Sequence, residues 1–378
     1  MAMPNPTAGG RQLADLGWDP GWAAAFLPFD AAGWRPARVV AAHRDAWVLA
    51  TDHADRDAVI SGRFRHEALG PGDLPAVGDW VAVAGSGPDD SGGPAVIQAV
   101  LPRRSAFRRS TGDDHSGPTL AGEQVLAANV DVALLVTGLD GDFNLRRLER
   151  YLAVAWSGGA TPVVVLNKAD LAPDLDGFRV AAEAVAPGVE VRPMSALTGD
   201  GITELAEAHL GRGRTAVVLG SSGVGKSTLV NALAGTEVLR TGAVRADDSR
   251  GRHTTTHREL VRLPGGALLI DTPGIRSLGV AGAADGIDDA FADVATLAGG
   301  CRFSDCGHDS EPGCAVKAAL ADGSLPRERF ESYRKLEREA AHVARASDPL
   351  LQAEERRRWR IIHSSVQRHM QHKYGSDR

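Results

Sequence analysis

Lysine is almost missing from this chain. Of its 42 basic residues only five are lysine, namely Lys168, Lys226, Lys317, Lys335 and Lys373. Where a sequence writes arginine by default, a retained lysine marks a place a planar fork cannot fill, such as a compact charge set among phosphates. Cysteine is scarcer still. The three present all lie between Cys301 and Cys314, with a histidine among them, which argues against a disulfide framework and for metal. No apolar run approaches the length of a membrane span. The opening MAMPNPTAGGRQ shows no charged leader followed by an apolar core, so the expected address is the cytoplasm. Positive charge is also in deficit. A net charge of −6 excludes a generally basic nucleic-acid coat, so any RNA contact must come from local patches.

What is present is a globular composition, 43% hydrophobic and 24% charged, over 378 residues, enough for two or three domains. Residues 1–35 form a lead-in without clear periodicity. Short β-type runs follow at 37–42, 47–51, 58–64, 79–84 and 95–101, separated by GPGDLP and GSGPDDSGGP. Five such strands within residues 36–105 predict a small closed barrel of the OB type. From residue 128 the texture becomes α/β, with apolar runs at 132–136, 162–166, 216–219 and 267–270 and helical stretches at 145–156 and 225–233. Continuous apolar strands predict a parallel sheet buried on both faces. Residues 106–276 form this second domain, and 277–378 a third that holds the Cys/His cluster and closing helices.

The segment Gly220-Ser221-Ser222-Gly223-Val224-Gly225-Lys226-Ser227-Thr228 follows the apolar run TAVVL and opens the helical run STLVNAL. That context is what a phosphate loop requires. Its glycines turn backbone N–H groups toward phosphates at a helix N-terminus. Lys226 is placed to reach the β- and γ-phosphates, and the Ser227 hydroxyl to ligate Mg²⁺.

Asn167-Lys168-Ala169-Asp170 leaves the end of another apolar strand. Guanine offers two adjacent donors, N1–H and N2–H₂, which one carboxylate such as Asp170 accepts together; adenine offers no such pair. A mismatched base would leave the carboxylate desolvated and unpaired, a discrimination of about 10⁴ or more. Asn167 and the Lys168 stem brace base and loop, and Ser195-Ala196-Leu197 supplies backbone donors to the guanine oxygen.

Leu269-Ile270-Asp271-Thr272-Pro273-Gly274 is an apolar strand ending in an acid. Asp271 is placed to hold Mg²⁺ and the Gly274 amide to face the γ-phosphate. Gly251-Arg252-His253-Thr254-Thr255-Thr256 lies between the two boxes, and one of its threonines, Thr254 or Thr255 among them, is expected to complete the magnesium shell. After Gly274 comes Ile275, not a glutamine that would orient the attacking water, so intrinsic hydrolysis should be slow. His253 is the nearest substitute. His253, Lys226 and Thr255 are therefore the candidate catalytic residues.

Cys301-x₄-Cys306-x-His308-x₅-Cys314 supplies three sulfur ligands and one nitrogen. Zinc takes such a set tetrahedrally, and four protein ligands leave no open position, so a structural ion is expected. Arg103, Arg104, Arg108 and Arg109 cluster after the last barrel run, and Arg356, Arg357, Arg358 and Arg360 surround Trp359, followed by His363, Arg368, His369, His372 and Lys373. Arginine beside an aromatic suits RNA phosphates and stacking.

The order of the boxes is unusual. Asn-Lys-x-Asp and Ser-Ala precede the phosphate loop, where ordinary GTPases place them after it, as a circular permutation would arrange them. With Ala127-Ala128-Asn129-Val130-Asp131, Asp142-Phe143-Asn144-Leu145 and the metal spacing, the chain resembles the small-ribosomal-subunit GTPase family of RsgA/YjeQ type over residues 36–360. The resemblance implies an OB barrel, a permuted GTPase domain and a zinc-binding helical domain, using GTP/GDP, Mg²⁺ and one structural Zn²⁺. It further implies late maturation of the small subunit as the task, with that subunit and its rRNA as partners, hydrolysis stimulated by it and coupled to release. No membrane partner is expected, and the chain should act as a monomer. Two alternatives stand beside this reading: a GTP-controlled switch for another RNA or protein, and a zinc enzyme on an incidental nucleotide fold, against which the closed ligand set argues.

Overall fold

The five barrel strands close on themselves. The computed structural model describes residues 12–43, 45–84, 93–110, 123–237, 258–271 and 284–347. In it β1 (Arg35–Ala42), β2 (Trp47–Ala50), β3 (Asp55–Ile60), β5 (Ala95–Val100) and β4 (Trp80–Ala84) pair in that order, and β4 returns to β1. β3 and β5 run parallel, and the other barrel pairs are antiparallel. Val39, Leu49, Val81 and Ile97 fill the interior, as the period-2 pattern dictates.

The β-type run at 58–64 breaks earlier than its composition suggested. β3 ends at Ile60, and Ser61 caps a short helix, α2 (Gly62–Glu67), by accepting a 3.1 Å hydrogen bond from the Phe64 N–H. A serine three residues ahead of a free N–H competes with strand continuation. The lead-in also carries structure. Asp19 and Pro20 start α1 (Pro20–Asp30), with Asp19 accepting from Trp22 N at 2.9 Å. Trp22 and Phe26 of α1 pack on Trp80 and Leu101 of the barrel.

Downstream, β10 (Glu190–Pro193), β9 (Thr161–Asn167), β8 (Val132–Gly138), β11 (Thr215–Leu219) and β13 (Leu268–Asp271) form a parallel sheet in that order. β12 (Arg258–Arg262) joins β13 antiparallel. Both faces are buried, as the unbroken apolar strands require. Ala133, Leu135, Val164 and Leu166 face a core with α3 (Leu145–Ser157) and α4 (Leu175–Val185), while Leu134, Val136, Val163 and Val165 face α5 (Ile202–His209) and α6 (Lys226–Ala234).

Two connections bind the parts together. β12 also pairs β1, with Ala41 opposite Glu259 and Ala42 opposite Arg258, so barrel and parallel sheet are one continuous eleven-stranded sheet. A separate ladder, β6 (Ala106–Ser110) with β7 (Glu123–Ala128), leads into β8. The closing helices are α7 (Ala284–Ala290), α8 (Ala292–Gly299), α9 (Ala315–Asp322) and α10 (Arg327–Ser347). Phe291, between α7 and α8, and their Val294, Val316 and Leu336 share one core with Leu148 and Leu152 of α3. No helix among the described residues is long and apolar enough to cross a membrane.

Candidate functional site

The phosphate loop leaves the C-terminal end of β11 and enters α6, where open parallel sheets gather ligands. Its glycines are required by space. A Cβ on Gly220 would stand 2.5 Å from the Val136 carbonyl oxygen, and one on Gly225, at φ 92°, would stand 2.3 Å from Asn167 Nδ2. Val224 is fully buried and anchors the loop from below. Ser222 and Gly223 are exposed at the rim, while Ser227 and Thr228 sit half-buried in the first turn of α6.

Asn167, at the end of β9, ties the loop to the base-side boxes. It is 2% exposed; its Nδ2 donates to the Val224 carbonyl at 2.8 Å and its Oδ1 accepts from Ala196 N at 2.9 Å. One amide therefore fixes the phosphate loop and the Ser195-Ala196 turn at one spacing. Ser195 is buried and its hydroxyl accepts from Thr198 N. Lys168 takes a left-handed backbone, φ 63°, and its Nζ donates to the Gly223 carbonyl at 2.7 Å and to Asp140. The Ala169 N–H donates to Met194 O, which closes the turn. Asp170 is exposed and, among the described residues, makes no hydrogen bond or ion pair. Its carboxylate is free to accept from a base.

Lys226 Nζ donates to the Ser221 carbonyl, and the Ser221 hydroxyl donates to Asp142. Arg147 of α3 grips the same carboxylate at 2.8 Å to both oxygens. Burial alone would raise the Asp142 carboxyl, but Arg147, the Ser221 hydroxyl and Lys168 outweigh it and hold it below the usual carboxylate range. The sequence reading gave Asp140 and Asp142 no role in holding the loop. Their signal was positional, because both follow the C-terminal end of a buried parallel strand, β8. Asp271 closes β13 beside β11. His253, Thr254, Thr255 and Gly274 lie outside the described residues, as does the basic tail at 356–373.

The cysteine cluster forms between α8 and α9. Cys301, Cys306, His308 and Cys314 bring their ligand atoms within 4.8 Å of one another. Cys301 Sγ stands 3.8 Å from Cys314 Sγ and 3.6 Å from His308 Nδ1, and His308 Nδ1 stands 3.4 Å from Cys314 Sγ. Tetrahedral bonds of about 2.3 Å to sulfur and 2.0–2.1 Å to nitrogen set donors about 3.5–3.8 Å apart, so this donor set fits zinc. Cys314 also caps α9 by accepting from Lys317 N. Glu311 organises the intervening loop, accepting from the N–H groups of Gly307, Asp309 and Ser310, each at 3.0 Å. Backbone donors, its own and that of Gly307 foremost, hold its carboxyl down at about 2.

The basic cluster after the barrel is largely paired. Arg103 donates to the fully buried Asp79 and to the carbonyls of Gly72 and Leu74, which makes it a structural cross-brace. Arg104 pairs with Asp19 at 2.5 and 2.7 Å and lies 4.1 Å over the Trp22 ring. Arg108 stands 3.7 Å from Glu123. Runs of charge near a fold's seams are commonly occupied in this way.

A family model described as RsgA GTPase matches residues 100–281. The small ribosomal subunit biogenesis GTPase RsgA of Opitutus terrae is 50% identical over 358 residues, 93% of this chain and 96% of that one. Among solved structures, YjeQ from Thermotoga maritima superposes with a TM-score of 0.58 at 28% identity, covering 80% of this chain and 97% of its own. YloQ, described as a circularly permuted GTPase, shares the fold with a TM-score of 0.55 at 24% identity, over 80% of this chain and 93% of its own.

Proposed function

The chain belongs to the RsgA GTPase family, and from that premise we propose that it hydrolyses GTP on the small ribosomal subunit, late in that subunit's maturation, and departs after hydrolysis. The observation that carries the nucleotide reading is the Asn167 amide, which joins the phosphate loop to the base-side turn while leaving Asp170 open. A triphosphate tail fits over the 220–228 loop with Lys226 at its β- and γ-oxygens. Asp170 takes the N1–H and N2–H₂ edge of guanine, and the turn at Ser195 and Ala196 offers its backbone to the ring oxygen.

Ser227 and Asp271 are the side chains that would hold magnesium, with a threonine from 254–255. When bound, the ion neutralises charge on the β- and γ-phosphate oxygens. The protein's own share is positioning, because the phosphoryl group needs alignment more than covalent help. With Ile275 in place of a water-orienting glutamine, His253 takes that task, and the ribosomal subunit supplies the ordering that makes it effective. The Cys₃His site holds one structural zinc. The chain acts in the cytoplasm as a monomer, with rRNA contacted by its basic tail.

GTP turnover with and without purified small subunits tests this reading. Subunits should stimulate turnover strongly, and His253→Ala should lose most of that stimulated rate while GTP still binds. Absence of stimulation would leave the GTP-controlled switch for a different partner as the better account. An unchanged rate in His253→Ala would remove the histidine from the mechanism.

A further inference from the structure

A second cleft lies at the opposite end of the parallel strands from the phosphate loop. It occupies about 430 Å³ where α1, the barrel and the N-terminal ends of β8, β9 and β11 meet. The five residues of β11 separate it from Gly220, a distance of roughly 16 Å at about 3.3 Å per residue. Its charged lining is Arg38, Arg104, Arg212 and Arg214 against Asp19 and Asp131.

Those charges do not cancel. Arg104 is matched by Asp19, and Arg212 reaches out of the cleft to Asp15. Asp131 accepts a 2.7 Å hydrogen bond from Thr215 N. Arg38 is 2% exposed, yet its hydrogen bonds go only to neutral oxygens: the carbonyls of Leu16, Gly78 and Asn129 and the Thr215 hydroxyl. Asp131 and Asp79 act on it only through space. A buried guanidinium without a carboxylate in contact is an uncompensated charge. Arg214 is exposed at the rim and, among the described residues, its guanidinium has no partner at all.

We infer that this cleft binds a phosphate group, with Arg214 as its fork at the mouth and the buried Arg38 as the fixed positive charge behind it. Guanidinium forks match two phosphate oxygens at once, and this geometry is why arginine dominates such sites. Inorganic phosphate, a free nucleotide or the backbone of RNA all present this chemistry. The site stands apart from the nucleotide pocket, so the inference goes beyond the proposed hydrolysis and survives or fails separately from it.

The test uses the full chain saturated with Mg–GDP, which removes the phosphate loop from the titration. Isothermal titration with inorganic pyrophosphate should show one site per chain. Arg214→Ala, an exposed substitution that leaves the fold alone, should weaken it by about tenfold or more, the scale of one charge-assisted contact. Arg179→Ala, on the far helix α4, should leave it unchanged. A short single-stranded RNA that displaces pyrophosphate identifies the RNA backbone as the source; failure to displace it identifies a free phosphate compound. No binding to the GDP-saturated chain, or equal binding by Arg214→Ala, overturns the site.

Discussion

Two seams flank the nucleotide-binding sheet, and each is closed by one buried arginine. Arg38 closes the barrel seam with neutral oxygens alone. Arg329 of α10, 4% exposed, closes the C-terminal seam with carboxylates: Glu149 of α3 at 2.9 Å and Asp293 of α8 at 2.9 and 3.1 Å, supplemented by the carbonyls of Ala290 and Val185. Burial lowers the Arg38 pKa to about 10, against the through-space pull of Asp131 and Asp79. Burial also works against the charge of Arg329, but Asp293 and Glu149 outweigh it and raise its pKa. Both remain cations at neutral pH. The difference lies in what each would leave behind. Removing Arg38 strands carbonyls, whereas removing Arg329 strands a fully buried carboxylate, Glu149, whose Oε2 already lacks a partner and whose other oxygen would keep only Arg146.

The two seams should differ most in their response to metal removal. The C-terminal seam is backed by the Cys₃His cluster, since Arg334 of α10 donates to the Gly307 carbonyl beside the ligands. The barrel seam has no such support among the described residues. Structural zinc is linked to folding by on the order of 10 kcal/mol. A strong chelator should therefore abolish hydrogen-exchange protection in α9 and α10 while β1–β5 stay protected. Uniform loss, or none, would contradict two separately supported seams.

Next in size is Arg329 itself. Arg329→Ala should destabilise by about 3–5 kcal/mol in denaturant unfolding, the penalty of a buried carboxylate without its partner. Arg329→Met combined with Glu149→Leu should recover most of that loss; failure to recover would mean that packing, not charge, governs the seam. Arg38→Met should fall below it, at about 1–3 kcal/mol, the price of unsatisfied carbonyls. A loss for Arg38→Met equal to that for Arg329→Ala would erase the distinction.

The smallest effect concerns Asp19, which joins α1 to Arg104 at the barrel seam. Arg104 first, then the Trp22 N–H, depress its carboxyl to about 2 from 3.8. A depressed acid stabilises the fold above its unfolded value and loses that contribution as pH falls from about 4 toward 2. Wild type should show a shallow stability slope across that window, and Asp19→Asn should flatten it. An identical slope in both would show the pair to be idle, as exposed ion pairs often are.

The candidate site was legible as a pattern because its residues are local in sequence. A glycine-rich run between an apolar strand and a helix, or a Cys₃His set within fourteen residues, needs no tertiary knowledge. The barrel was legible from its strand periods, apart from the capped turn at Ser61. What escaped were partners far apart in the chain. Arg103 stands in sequence among the candidate RNA-contacting arginines because nothing near it announces Asp79, and Arg329 and Glu149 meet across 180 positions. α1 escaped for another reason. Its apolar residues are mostly small or aromatic around an internal Pro28, so it shows no clear 3.6-residue stripe and becomes a helix through its cap and its packing on Trp80.

β12 sits between β13 and β1. Were residues 1–105 cut away, the backbone of β12 that now meets Ala41 and Ala42 would become an open edge, a template on which a second copy can grow. The barrel thus acts as an edge guard for the parallel sheet. A truncated GTPase core should be judged first by whether it stays dispersed at working concentration.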